Sequence, residues 1–115
     1  RLNGAARQVM GDLMAARMQA VSLNHAVKVF FYSDHQYKIC DDVNDDGTVD
    51  YGEGNVQVKD IHSNYHDVTL TKSMNPVFQP RGTASPATTI TLSSTTNISL
   101  IKYVKVFITG SVKIE

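Results

Sequence analysis

The sequence predicts an α+β domain, in which one long N-terminal helix packs against antiparallel β-sheet. Two observations carry this. Apolar residues recur at helical spacing through the first 23 positions, and after Asn24 the period drops to two, with turn residues punctuating short β-branched and aromatic runs. The 115 residues, 42% of them hydrophobic, suit one domain with one core rather than two. We therefore read 1–115 as a single unit, with a helix over 1–25 and a β-rich body over 26–115.

In the helical segment, Leu2, Ala6, Val9, Leu13, Ala16, Ala20 and Leu23 follow one another at alternating steps of four and three, which places them on one face. No proline interrupts residues 1–25, and Ala, Leu, Met, Arg and Gln dominate them. A helix of this length runs about 34 Å, more than so small a domain needs for its own core. A second stripe, Met10, Met14 and Met18 with Val21 beside them, lies about a third of a turn away. Either the sheet wraps round to cover both stripes, or the methionines meet helices of neighbouring subunits, where flexible thioethers suit imperfectly matched surfaces. Arg17 sits between the stripes and is placed to snorkel. The pattern begins at Arg1 with no initiator methionine and no cap residue, so the start reads as a cut within a longer helix.

Downstream, the candidate strands are 27–32, 37–40, 56–61, 68–71, 88–92, 100–109 and 112–114. In Thr89-Ile90-Thr91-Leu92 the alternation buries Ile90 and Leu92 and turns the threonines outward. Gly110 marks a tight hairpin or bulge between the last two runs. Segments 72–87 and 93–97 read as loops, through Asn75-Pro76, Pro80, Arg81-Gly82 and Ser85-Pro86 in the first and a Ser/Thr/Asn run in the second.

Charge and chemistry narrow the function. Eleven basic residues balance eleven acidic ones, so the whole chain has no long-range field for nucleic acid or an anionic membrane. Cys40 is the single cysteine, which excludes an internal disulfide or a multi-cysteine zinc site and suits a buried, inert thiol. No run approaches the roughly 20 apolar residues of a bilayer span. No nucleophile elbow, P-loop or dinucleotide fingerprint occurs, and we assign no catalytic residue and no required cofactor.

Three constellations remain. The segment from Asp42 to Glu53 satisfies every fixed position of an EF-hand loop: Asp42, Asn44, Asp46, the Thr48 carbonyl, Asp50 and Glu53 as oxygen ligands for calcium, with Gly47 at the sharp turn. Its flanks read as strands rather than helices, so the alternative is a solvated Asp/Asn/Gly hairpin turn. His62 and His66 have i, i+4 spacing, but their segment has no helical period, which argues against zinc; His25 and His35 fall near element ends and read as surface residues. Lys102, Lys105 and Lys113, with Tyr103 and Phe107 near them, form either a weak nucleic-acid patch or ordinary solvated strand faces.

The helix end Ala16-Arg17-Met18-Gln19-Ala20-Val21-Ser22-Leu23-Asn24, leading into Val27, resembles the GspH/FimT family of minor pilins and pseudopilins. So does Phe78-Gln79-Pro80-Arg81-Gly82, similar to that family's Phe-x-x-x-Gly loop, and so does the ending, Val104-Lys105-Val106 followed by Gly110-Ser111-Val112-Lys113-Ile114. The resemblance implies a pilin-like fold whose residues 1–25 are the C-terminal half of the family's helix. It further implies a non-catalytic subunit that assembles with other pilins or pseudopilins in a type II secretion system or type IV pilus. Such a precursor is held in the inner membrane of a bacterial envelope by an upstream hydrophobic helix half, with its soluble domain in the periplasm. The acidic segment sits where many such sequences carry an Asp/Asn/Gly-rich hairpin. Members usually place Arg after the closing glycine, and some with basic C-termini are associated with DNA uptake. Here Ser111 follows Gly110 and only Lys113 is basic, which counts against nucleic acid as a partner.

Overall fold

The computed structural model describes residues 2–42, 54, 57–96 and 100–115. Helix α1 spans Leu2–Leu23, followed by β1 (Val27–Phe31), β2 (Gln36–Asp41), β3 (Gln57–Asp60), a 3-10 turn (Ile61–Ser63), β4 (Val68–Lys72), β5 (Val77–Phe78), β6 (Thr88–Ser94), β7 (Ile101–Val106) and β8 (Val112–Ile114). The helix ends where Asn24 takes φ +58°, a left-handed conformation that few residues other than glycine and asparagine adopt. That turn sends the chain directly into β1.

Two four-stranded antiparallel sheets form the body, one in the order β3-β2-β1-β5 and the other β4-β6-β7-β8. In the first, Val29 pairs with Ile39 and Phe31 with Tyr37, all four buried. In the second, Leu70 pairs with Leu92 and Ile90 with Val104, again all buried. The predicted alternation in β6 holds: Ile90 and Leu92 are fully buried while Thr89 and Thr91 are partly exposed. The period of two puts these apolar residues on one face of each sheet, and α1 covers both.

Ala5, Ala6, Val9, Leu13, Ala16 and Ala20 form the buried face of α1. Four alanines let the helix backbone lie close to strands from two sheets at once, and Leu13 is the largest fully buried side chain of the helix; burying such a side chain is worth about 1.5–3 kcal/mol. Polar contacts set the helix position further. The Tyr37 hydroxyl on β2 donates to the Asp12 carboxylate at 2.5 Å, and Lys59 Nζ on β3 lies 4.0 Å from the same carboxylate. The sheets are tied to each other where Lys72 Nζ donates to the Phe31 carbonyl at 2.8 Å and Leu70 N–H to the Asp34 carbonyl at 2.7 Å.

Four sequence expectations change. Segment 72–87 is not simply a loop: Val77 and Phe78 pair with Lys28 and Val27 as an edge strand, because Phe78 is apolar enough to be buried beside β1. The run 100–109 is shorter than its hydropathy suggests, since Phe107 to Gly110 turn back toward β8, with Gly110 N–H donating to the Phe107 carbonyl at 2.8 Å. The run 56–61 stops at Asp60, whose side chain accepts from His62 N–H and starts the 3-10 turn. Leu23, assigned to the inner face, is exposed, because Ala20 is the last helix residue that the strands cover. Cys40 is buried and free, as anticipated.

Candidate assembly surface

The two helical stripes part company. Met10 is half-buried and packs on the core, whereas Met14, Met18 and Val21 are 49%, 66% and 49% exposed. The sheets therefore cover only the first stripe and the start of the second. Three large apolar side chains remain on one face of the C-terminal half of α1, where solvent gives them no reason to be apolar.

Arg17, next to that face, does more than snorkel. Its Nε–H donates to the Gly82 carbonyl at 2.8 Å, 65 positions away. Gly82 and Gly110 are both buried with φ of +93° and +91°. A Cβ on Gly110 would stand 1.9 Å from the Gly82 carbonyl oxygen and 2.8 Å from Arg17 Nε; one on Gly82 would stand 3.4 Å from the guanidinium and 3.7 Å from Val21. Gly110 is thus required twice over, by backbone conformation and by close approach, whereas Gly82 is required by its backbone conformation alone. The 79–82 turn closes through Gly82 N–H to the Gln79 carbonyl at 2.8 Å, and Ala84 N–H donates to the Ile108 carbonyl at 3.0 Å. The helix end, the Phe78 loop and the β7–β8 turn are therefore one locked corner. These are the three stretches that carry the sequence resemblance.

Comparison with known proteins bears on this corner. Residues 5–110 match the family described as type II transport protein GspH. The chain belongs to the GspH family. Two crystal structures of the Pseudomonas aeruginosa type IV minor pilin FimU share its fold, with TM-scores of 0.75 and 0.72 at 18% identity; the matches cover 99% of this chain and 87% and 92% of FimU. No curated protein matches in sequence. This GspH family member is thus pilin-like in fold: one long N-terminal helix against two antiparallel sheets. Among the described residues no helix is long and apolar enough to cross a membrane.

The lysines of the GspH-family ending do not share one face. Lys105 and Lys113 are cross-strand neighbours, whereas Lys102, three residues from Lys105 on β7, points to the opposite side by strand alternation. Lys105 Nζ sits 3.2 Å from a Glu115 carboxylate oxygen, and Lys113 Nζ lies 5.8 Å from the Phe107 ring centroid. Of the six candidate calcium ligands, Asp42 is buried and its N–H donates to the Ala26 carbonyl at 2.8 Å; Asn44, Asp46, Thr48, Asp50 and Glu53 lie outside the described residues.

His62 is set beside His35 and not beside His66, the i, i+4 neighbour whose non-helical segment argued against a zinc pair. His62 stacks on His35, with ring centroids 4.1 Å apart and planes 4° from parallel, while His66 is exposed. His35 is accordingly not a plain surface residue. Its Nδ1 lies 2.7 Å from Asp34 Oδ1, and this hydrogen bond holds the Asp34 carboxyl below its usual range. Nothing in a one-dimensional reading joins positions 35 and 62, because the β2–β3 register brings them together.

Proposed function

We propose that this chain is the head domain of a minor pseudopilin or pilin that works by assembly into a (pseudo)pilus, with Met14, Met18 and Val21 seating the subunit against its siblings. The observation that carries this reading is the exposed apolar stripe on a helix whose inner face packs on the core, beside the Arg17 corner. Family membership supports the class of subunit. In this reading the full-length subunit waits in the inner membrane, held by a helical segment upstream of the present sequence, with the head in the periplasm. Assembly extracts it, and the exposed stripe passes from water into helix-to-helix contact. Thioethers favour such a role because they repack on several partners at small cost.

The experiment is co-expression of the full-length subunit with related pseudopilins or pilins, comparing the native protein with a Met14→Ser, Met18→Ser variant. We expect the variant to accumulate as folded subunit while incorporation into filaments falls several-fold. Unchanged incorporation would remove the methionines from the assembly surface. Performing the comparison in a secretion background and in a pilus background assigns the machine, since only the cognate one takes up the native subunit.

A further inference from the structure

We propose that His35, Asp60 and His62 form a binding site for a divalent transition-metal ion of the zinc class. One ligand atom from each of the three half-buried residues lies within 4.8 Å of the others. Three different pieces of backbone supply them: the β1–β2 turn, the end of β3, and the 3-10 turn. The corner that joins these pieces is already built, because Gln36 pairs with Asp60 and Ile61 N–H donates to the His35 carbonyl at 2.9 Å.

The histidine hydrogen bonds argue for a ligand role more strongly than proximity does. His62 Nε2 lies 2.8 Å from the Val68 carbonyl oxygen, which can only accept, so Nε2 carries the hydrogen and the Nδ1 lone pair is left for a metal. His35 Nδ1 faces the Asp34 carboxylate at 2.7 Å, so the same logic leaves Nε2 as its donor atom. An outer carbonyl or carboxylate that orients each imidazole is the usual arrangement behind metal-bound histidine. Asp60 is held in place as well, since His62 N–H donates to its Oδ1 at 2.9 Å. Two imidazoles and one carboxylate suit zinc or a neighbouring first-row ion rather than calcium or magnesium, which prefer all-oxygen shells.

For the ion to enter, the stacked rings must tilt toward each other about their outer hydrogen bonds to the Val68 carbonyl and the Asp34 carboxylate, which stay in place. Ligands 2.0–2.1 Å from a tetrahedral zinc stand about 3.4 Å apart, so separations of up to 4.8 Å must close by up to about 1.4 Å. Side-chain torsions of partly exposed residues can supply this, and water completes the shell. A bound ion would staple the β1–β2 turn to the connection that leads from the first sheet to the second.

Zinc chloride titrated calorimetrically into the 115-residue chain is expected to show one saturable site. His35→Gln and His62→Gln should each weaken it at least tenfold, while His66→Gln leaves it unchanged. Asp60→Asn retains an oxygen for the His62 N–H and removes the anionic ligand, so it should weaken zinc without unfolding the turn. Should either glutamine variant fail to fold by circular dichroism, imidazole nitrogen NMR shifts of His35 and His62 on zinc addition to the unaltered chain decide instead. Three results would overturn the proposal: no saturable heat, unmoved His35 and His62 resonances, or zinc binding that survives both glutamine changes and vanishes in Asp46→Ala.

Discussion

At the scale of single residues, the structure separates side chains that look equivalent in the sequence. Gly11 and Gly110 illustrate it. A Cβ on Gly11 meets nothing within 4 Å on the exposed side of α1, whereas one on Gly110 collides with the Gly82 carbonyl. Gly11→Ala should therefore stabilise the domain by about 0.5–1 kcal/mol through helix propensity. Gly110→Ala should cost about 2–4 kcal/mol, because left-handed strain and overlap add. Denaturant midpoints of the two variants provide the check, and opposite signs are the expected outcome. Tyr37 offers a pH-dependent counterpart. Burial, and then its hydrogen bond to the Asp12 carboxylate, push its hydroxyl well above the usual tyrosine range. Because the folded pKa is raised, the associated stability is fully present below the unfolded value of about 10 and is lost as pH rises beyond it. By pH 11 the loss should be on the order of 1 kcal/mol. Tyr37→Phe should show a correspondingly shallower decline between pH 9 and 11; equal slopes would assign the alkaline sensitivity to other groups.

At the scale of elements, the end of α1 decides how the body is hung. Asn24 at φ +58° turns the chain from helix to β1 within three residues, and Arg17 about two turns earlier ties the same helix end to the Phe78 loop. The motif that runs from Ala16 to Asn24 thus has a mechanical content: two alanines for close packing, an arginine for the loop, and an asparagine for the exit. Asn24→Gly should leave thermal stability nearly unchanged, since glycine enters the left-handed region freely. Asn24→Ala should lower it by about 1–2 kcal/mol. Thermal unfolding followed at 222 nm distinguishes the two, and equal losses would show that the asparagine side chain, not the backbone conformation, matters there.

At the scale of the whole molecule, α1 serves two masters. Its alanine and leucine face joins two sheets into one core, and the part that the sheets leave bare is the face we assign to neighbouring subunits. This division makes a prediction about the isolated domain that complements the filament experiment. Met10→Ser should cost about 1–3 kcal/mol, because Met10 packs on the core, whereas the Met14→Ser, Met18→Ser pair should leave the unfolding midpoint within about 0.5 kcal/mol of the parent. Calorimetric melting of the three proteins tests it. A large loss from the outer pair would place those methionines in the fold rather than in the assembly.

The sequence by itself determined what is periodic or local: the long helix and its buried face, the two-fold alternation in β6, the glycine hairpin before β8, and the order of motifs that marks the family. Hydrophobic burial acts through spacing along the chain, so these features are written in one dimension. Only tertiary structure decided which stripe of the helix is covered, because that depends on how far two sheets curve around it. It likewise decided that Val77 and Phe78 form an edge strand, that Lys102 parts from Lys105 and Lys113, and that His62 answers to His35. It also showed that Arg17, Gly82 and Gly110 are one corner. Each of these rests on contacts between residues far apart in the chain, and such contacts are fixed by strand register and sheet order rather than by composition or spacing.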